Sequence, residues 1–568
     1  MYLRPTATVV LIALSVVAGV IRADSAAPFE TGSTALIEAV QADDRAAVAH
    51  VLATHPEINI AEDDGSTALA WAAIRSNGEI AQLLLKAGAN PNLVNEQGVG
   101  PLYIAIENGS ALIVRMLLAN GADANLARLD GETPLMLATR LGQIETMKML
   151  LDRGADVNAR EKKFRQTALM WAAGHPAATK LLLDHGAEIH AVSKTWKITA
   201  TVYTPTTSTI GKTGIPWNND GTWSADQGGQ NALLFDVQQH DIESARMLLD
   251  AGIDVNVRSA DGTTPLIAAL YKWDPLGTEF VAGTGAPAAS GSSARFGPDL
   301  QMAGLLLDRG AKVQVADSAG YTPLHGAALA VAVLTTGGRD RSAYGNGRAT
   351  KSRQSAAEQD PAYTAKLKEA LDMVRRLLDA GADPNRQTLH PTEGPVGDVR
   401  INPAPPGSSA FHIAADSDCL ELVQLLADKG ANPNLLRKDG HTPFSVSVLS
   451  TDLAIVKEMV ARGADLSIRY NPTDHFADPV KPISLPRSNQ TIMHIAAGAG
   501  APDIIQYLHS IGVGLDARNS MGETPLDLAD HQERYREARA REAAEDKPDR
   551  TVKRDTSTTD MIRKLLGS

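Results

Sequence analysis

Residues 130–158 read DGETPLMLATRLGQIETMKMLLDRGADVN. Asp130-Gly131 is turn chemistry, since glycine accepts a positive φ without strain. Thr133 stands where a hydroxyl caps a helix N-terminus, and Pro134 fits the first helical turn. Leu and Ala follow at helical spacing. A second amphipathic run closes at Gly154, a residue suited to the left-handed position just past a helix. The stretch therefore predicts turn, helix, short loop, helix. A unit this small cannot bury its own apolar face and is stable only when stacked on copies of itself.

The copies are present along the chain. LLLKAGANPN ends at Asn92, LLANGADAN at Asn125, LLDRGADVN at Asn158, LLLDHGAEIH at His190 and LLDAGIDVN at Asn256. The marker glycines fall at 88, 121, 154, 186, 252, 310, 381, 430, 463 and 512, spaced by 33, 33, 32, 66, 58, 71, 49, 33 and 49. A period of 33 with insertions accounts for the series. The turn-and-cap marker recurs as DGSTALAWAA from Asp64, DGTTPLIAAL from Asp261, AGYTPLHGAA from Ala319, DGHTPFSVSV from Asp439 and MGETPLDLAD from Met521.

This pattern resembles the ankyrin-repeat family, whose Thr-Pro-Leu-His-x-Ala-Ala hallmark stands at Thr322–Ala328, with the histidine kept at His412 and His494. The resemblance implies an all-α repeat solenoid, an ankyrin-type stack of about twelve helix-turn-helix units. It also implies that His325, His412 and His494 make a structural hydrogen bond between neighbouring loops, in preference to a metal site. The opening unit departs from the pattern by placing His55 where the glycine belongs, and the closing unit takes DMIRKLLG, ending at Gly567, as its second helix.

Insertions in a solenoid map to loops. Lys194–Gly229 reads KTWKITATVYTPTTSTIGKTGIPWNNDGTWSADQGG, with no Leu, nine Thr and β-branched alternation, which predicts a β-rich finger. Further excess falls at Trp273–Pro298, Ala332–Lys366, Arg386–Ser409, Pro472–Asn489 and His531–Asp555, most of them expected as flexible loops. None is large enough to be a catalytic domain of its own. The expected organisation is a signal peptide over 1–27, a repeat block over 33–193, the finger over 194–229, repeats with loop insertions over 230–522, and a capping repeat with a charged loop over 523–568.

The signal peptide rests on Arg4, the apolar run Val9–Ile21 and the small residues up to Ala27. That run is too short for a membrane span, so an exported protein, periplasmic or secreted, with no span after cleavage is expected. A single cysteine, Cys419, suits an oxidising compartment because nothing can mispair with it inside the chain. Its acidic neighbours are expected to raise its pKa, the opposite of what a nucleophile needs. With 66 acidic against 54 basic residues the formal charge is −12, which argues against nucleic acid as the partner. Hydrophobic and charged fractions of 43% and 21% exclude a disordered chain, and only 4% aromatics leave the core to Leu, Ala, Val and Ile. STIGKT, ending at Thr213, lacks the glycine a phosphate-binding loop requires at Thr206. No metal-ligand spacing appears, and neither cofactor nor catalytic residue is expected.

What remains is recognition. Trp71 and Trp171 follow the histidine position of their repeats and Tyr103 occupies it, on the helix that in ankyrin solenoids lines the concave surface. Trp196, Tyr203, Trp217 and Trp223 lie in the finger. Aromatic side chains of this kind concentrate binding energy. The expectation is a non-enzymatic scaffold that binds a protein partner through the concave face and projecting loops. The alternatives are a binder of cell-envelope polymer or carbohydrate using the finger tryptophans, and an enzyme built on the solenoid.

Overall fold

Helices begin where a capping side chain meets the turn. Thr67, Thr133, Thr264 and Thr442 each accept from the backbone N–H three residues on, at 3.2, 3.2, 3.3 and 3.1 Å. In the computed structural model, described over residues 33–205, 217–270, 298–336, 361–389, 407–471, 488–544 and 556–567, such starts open successive helix pairs, 24 helices among the described residues. They form the expected all-α repeat solenoid. The segments 1–27 and STIGKT lie outside the described residues. Gly131 shows why the turns need glycine. Its φ is 86°, and a Cβ there would meet the Lys162 backbone nitrogen at 2.9 Å, because that N–H donates to Asp130 O at 2.8 Å.

The chain divides into two compact units, the described residues 33–195 with 228–253 and the described residues from 196–227 and 254–567. In the first, the leading helices Ser33–Gln41, Ala68–Ile74, Pro101–Glu107, Pro134–Arg140, Ala168–Trp171 and Ala232–Gln239 pack on one another in that order. Five residues after each capping position stand Ala39, Ala72, Ala105, Ala138 and Ala172, all fully buried. The sixth helix has Asp236 there instead, 1% exposed, with its Oδ2 buried and unpartnered. Burial, and then the charge of Asp241, push its carboxyl well above the usual range. Asp241 itself is satisfied, accepting from Ser244 N at 3.0 Å and Gly174 N at 2.9 Å.

The second unit contains the one sheet among the described residues. Strands β1 (Trp196–Pro205) and β2 (Trp217–Gln227) pair antiparallel, Trp196 opposite Gln227 and Pro205 opposite Trp217, with a register shift between Val202 and Tyr203. Two expected loops are corrected in this unit. The stretch Ala332–Lys366 contributes to the helices Pro323–Thr336 and Pro361–Asp379 at its two ends. Much of the charged stretch from His531 continues the helix Pro525–Ala544, since its Ala, Arg and Glu are strong helix formers and Arg534 pairs with Asp530 one turn away at 2.6 Å. The closing helix is Ser557–Leu566, and Glu533, 4% exposed, binds the Thr559 backbone N–H at 3.0 Å.

Two side-chain ladders join the repeats. The Asn92 amide donates to Gly121 O at 2.9 Å and accepts from Asp123 N at 2.7 Å. Asn125 and Asn158 repeat this rung in the first unit, and Asn256, Asn385 and Asn434 in the second. The histidines form the other ladder. Thr322 N–H donates to His325 Nδ1 at 3.2 Å, so the proton sits on Nε2 and is donated to Ser408 O at 3.2 Å. His412 and His494 bridge to His441 O and Glu523 O in the same way, at 3.4 and 2.9 Å. Burial pushes His325, His412 and His441 down to about 4, about 3 and about 4.

Two predictions follow from these buried groups. Asp236→Ala removes a carboxyl whose buried Oδ2 lacks a partner and restores the residue found in the neighbouring helices. It is expected to stabilise the first unit by about 1–3 kcal/mol in chemical denaturation. The histidines stay neutral when folded but bind a proton when unfolded below about pH 6.5. Stability of the second unit is therefore full above that value and falls as pH drops towards 4, by up to about 1.4 kcal/mol per pH unit for each histidine. Denaturation midpoints at pH 7 and 5 measure the fall, which is shallower in His412→Gln.

Candidate protein-binding face

The first unit links two of its three sequence-predicted aromatic residues, Tyr103 and Trp171, through one chain of contacts. Trp71 is half-buried, and its indole N–H donates to Glu62 Oε2 at 2.6 Å. The other Glu62 oxygen accepts from Gln41 Nε2 at 2.9 Å, tying the ring to the preceding repeat. Trp171 is also half-buried and donates to Gln166 Oε1 at 2.8 Å. Each ring is thus oriented by a polar contact at its edge while part of its surface stays open. Tyr103 is placed differently. It is 5% exposed and lies beneath Arg128, whose Cζ is 5.2 Å from the ring centroid and whose Nη1 donates to the phenol oxygen at 3.2 Å. Burial and then the nearby Glu132 carboxylate raise the tyrosine pKa, so it stays a neutral support.

Charge links Tyr103 and Trp171 across three repeats. Glu132, 6% exposed, receives Arg128 Nη1 at 3.3 Å and Arg140 Nη2 at 2.9 Å. Arg140 in turn lies over the Trp171 ring, 5.7 Å from its centroid. Tyr103, Arg128, Glu132, Arg140 and Trp171 therefore form one chain of contacts, with two guanidinium groups around one carboxylate. The Nε atoms of both arginines are buried without a partner. Sequence reading missed the arginines and Glu132. The available signal was Arg128 itself, five residues before its capping threonine, where the corresponding residues are Asn95, Asp317 and Asn519.

The second unit holds the same substitution in closed form. Arg437 grips Asp439 through two bonds of 2.9 and 2.6 Å, both side chains largely buried. Burial works to raise the Asp439 pKa, but the guanidinium outweighs it and holds the carboxyl below the usual range. Trp196 is half-buried at the head of β1. The side chains of Tyr203, Trp217 and Trp223 lie outside the described residues. Cys419 is 7% exposed, and its thiol is pushed up chiefly by burial, with Glu421 contributing. Among the described residues no group of three His, Cys, Asp or Glu forms a metal-binding cluster, and no helix is long and apolar enough to cross a membrane.

Stacked helix pairs stitched by asparagine and histidine rungs define a helical repeat protein. Family models described as ankyrin repeats (3 copies) match residues 14–95, 36–128, 102–193 and 362–470, and one described as ankyrin repeats (many copies) matches 477–529. The chain belongs to the ankyrin-repeat family. It is 31% identical over 245 residues to the B-cell lymphoma 3 protein of Homo sapiens, covering 38% of this chain and 48% of that one. It is 32% identical over 126 residues to the cyclin-dependent kinase 4 inhibitor B of Bos taurus, covering 22% and 84%. It is 29% identical over 130 residues to the transient receptor potential cation channel subfamily A member 1 homolog of Caenorhabditis elegans, covering 22% of this chain and 9% of the channel. The chain thus spans about half the lymphoma protein and less than a tenth of the channel.

Because Glu132 is the buried carboxylate held between two partly buried arginines, Glu132→Gln is expected to destabilise the first unit by about 1–3 kcal/mol. Arg45→Ala, which breaks an exposed pair with Glu79, should leave the midpoint unchanged. Urea denaturation of both variants checks the contrast.

Proposed function

We propose that this protein is a non-enzymatic recognition scaffold, and that the leading-helix face of its first unit binds a protein partner. The connected surface from Tyr103 through Arg128, Glu132 and Arg140 to Trp171 carries the reading. It offers aromatic area that is oriented before binding, which lowers the entropic penalty of association. Trp71 and Trp171 are the anchors, and Tyr103 positions Arg128. The kinase inhibitor among the matched proteins is named for its action on another protein, which supports the same class of activity here. Export belongs to this proposal: residues 1–27 are removed and the repeats work in the periplasm or outside the cell.

The test is capture of a defined protein partner from the producing cells by the full chain and by a Trp71→Ala/Trp171→Ala variant. Affinity should fall at least tenfold while the helical signal is preserved, since such anchors contribute about 2 kcal/mol or more each. Equal capture by the variant would remove this face as the reader. N-terminal sequencing of protein recovered from the envelope or medium checks export.

A further inference from the structure

One edge of the first unit is basic on a protein whose formal charge is −12. At residues 162–165 the Asp-Gly turn of other repeats is replaced by Lys-Lys-Phe-Arg, one residue longer. Lys162, Lys163 and Arg165 are exposed. Glu161, which precedes them, is turned inward, its carboxylate taken by the N–H groups of Lys163, Phe164 and Gln166 at 2.6, 2.7 and 3.0 Å. Arg165 has a φ of 56°, at the position where Gly65, Gly98 and Gly131 stand in earlier repeats. That conformation is disfavoured for any residue with a Cβ, so a cation is kept there against the backbone's preference.

The basic edge runs into the binding face. Gln166, next to Arg165, holds the Trp171 indole, and Arg140 lies over that ring. Lys162 Nζ donates to Leu129 O at 3.1 Å, and the Leu129 side chain at the tip of the neighbouring turn is 65% exposed. The surface therefore combines five cations with an open apolar tip and an indole. Glu132 and the half-exposed Asp130 stand among the cations.

We infer that this edge docks an extended acidic segment of a partner protein that carries an aromatic or large aliphatic side chain. The inference rests on the proposal that the first unit's face binds protein. Carboxylates of the segment meet Lys162, Lys163, Arg165 and the arginine pair, where guanidinium groups favour two-point contacts. Its apolar side chain packs between Leu129 and Trp171, and its backbone N–H groups meet the exposed Asp130. A nucleic-acid strand fits less well, because the Asp130 carboxylate repels phosphates and its backbone has no N–H donor to offer that group.

A random 16-residue peptide display library, selected on the full chain and on a Lys162→Ser/Lys163→Ser/Arg165→Gly variant, tests this. The glycine suits the left-handed backbone, so the variant should melt no lower than the parent. Peptides selected by the parent should be enriched in Asp and Glu around an aromatic residue or Leu. The best of them, synthesised and followed by fluorescence anisotropy, should bind the variant at least tenfold more weakly. Neutral or basic selected peptides, no enrichment, or equal binding by the variant would overturn the inference. So would a 20-nucleotide single-stranded DNA that binds the parent more tightly than the best peptide. If a captured protein depends on Trp71 and Trp171 yet still binds the triple variant, the acidic-segment inference fails and the proposed function stands.

Discussion

The stack depends on how closely one leading helix can approach the next. These helices are four to nine residues long in the first unit, far below the roughly 12–15 residues at which an isolated helix becomes marginal in water. They persist because each lies against its neighbours. The contact is made possible by a column of small residues, Ala39, Ala72, Ala105, Ala138 and Ala172 in the first unit and Ala269, Ala327, Ala414 and Ala496 in the second, each with no exposed surface. Ser447 fits the same place at 0% exposure, its hydroxyl bonded to Phe444 O at 2.7 Å. Asp236 is the exception, and its unpaired oxygen shows what the column resists: a buried polar atom without a partner.

The contacts from Tyr103 to Trp171 arise from a departure of the same kind in the turns. Five residues before the capping position, Asn95 and Asp317 accept backbone N–H groups and so hold their own turns closed. Arginine has no acceptor. At Arg128 and Arg437 the task passes to the aspartates two residues later, Asp130 accepting from Glu132 N and Asp439 from His441 N. The guanidinium is then released. Arg437 spends it on Asp439, whereas Arg128 reaches back to Tyr103 and across to Glu132. One substitution therefore gives a closed ion pair in one unit and a connected surface in the other.

Much of this was legible in the sequence because it is written in local signals. Threonine caps, glycine ends and the histidine bridges depend on residues three or four apart and on a fixed period. The finger's strands follow from β-branched alternation without Leu. The helix through residues 531–544 was misread because its charge was weighed above its Ala, Arg and Glu content. The partnership of residues 103, 128, 132, 140 and 171 was not read, since it needs the register of three repeats at once. Asp236 carried a plain signal, an acid at an alanine position, but what an acid means there becomes clear only once its burial is known.

The asparagine rungs have a consequence for how such a chain changes over generations. Each rung joins a side chain to backbone atoms of the next repeat, a glycine carbonyl and an N–H two residues on. It is indifferent to the side chains of that neighbour. Repeats joined this way can be duplicated, deleted or exchanged without redesign of the joint. The contacts from Tyr103 to Trp171 are the reverse, side chain to side chain over three consecutive repeats, and a single shuffled repeat would erase them. The scaffold is built of interchangeable parts, while the chain of contacts from Tyr103 to Trp171 is heritable only as a block.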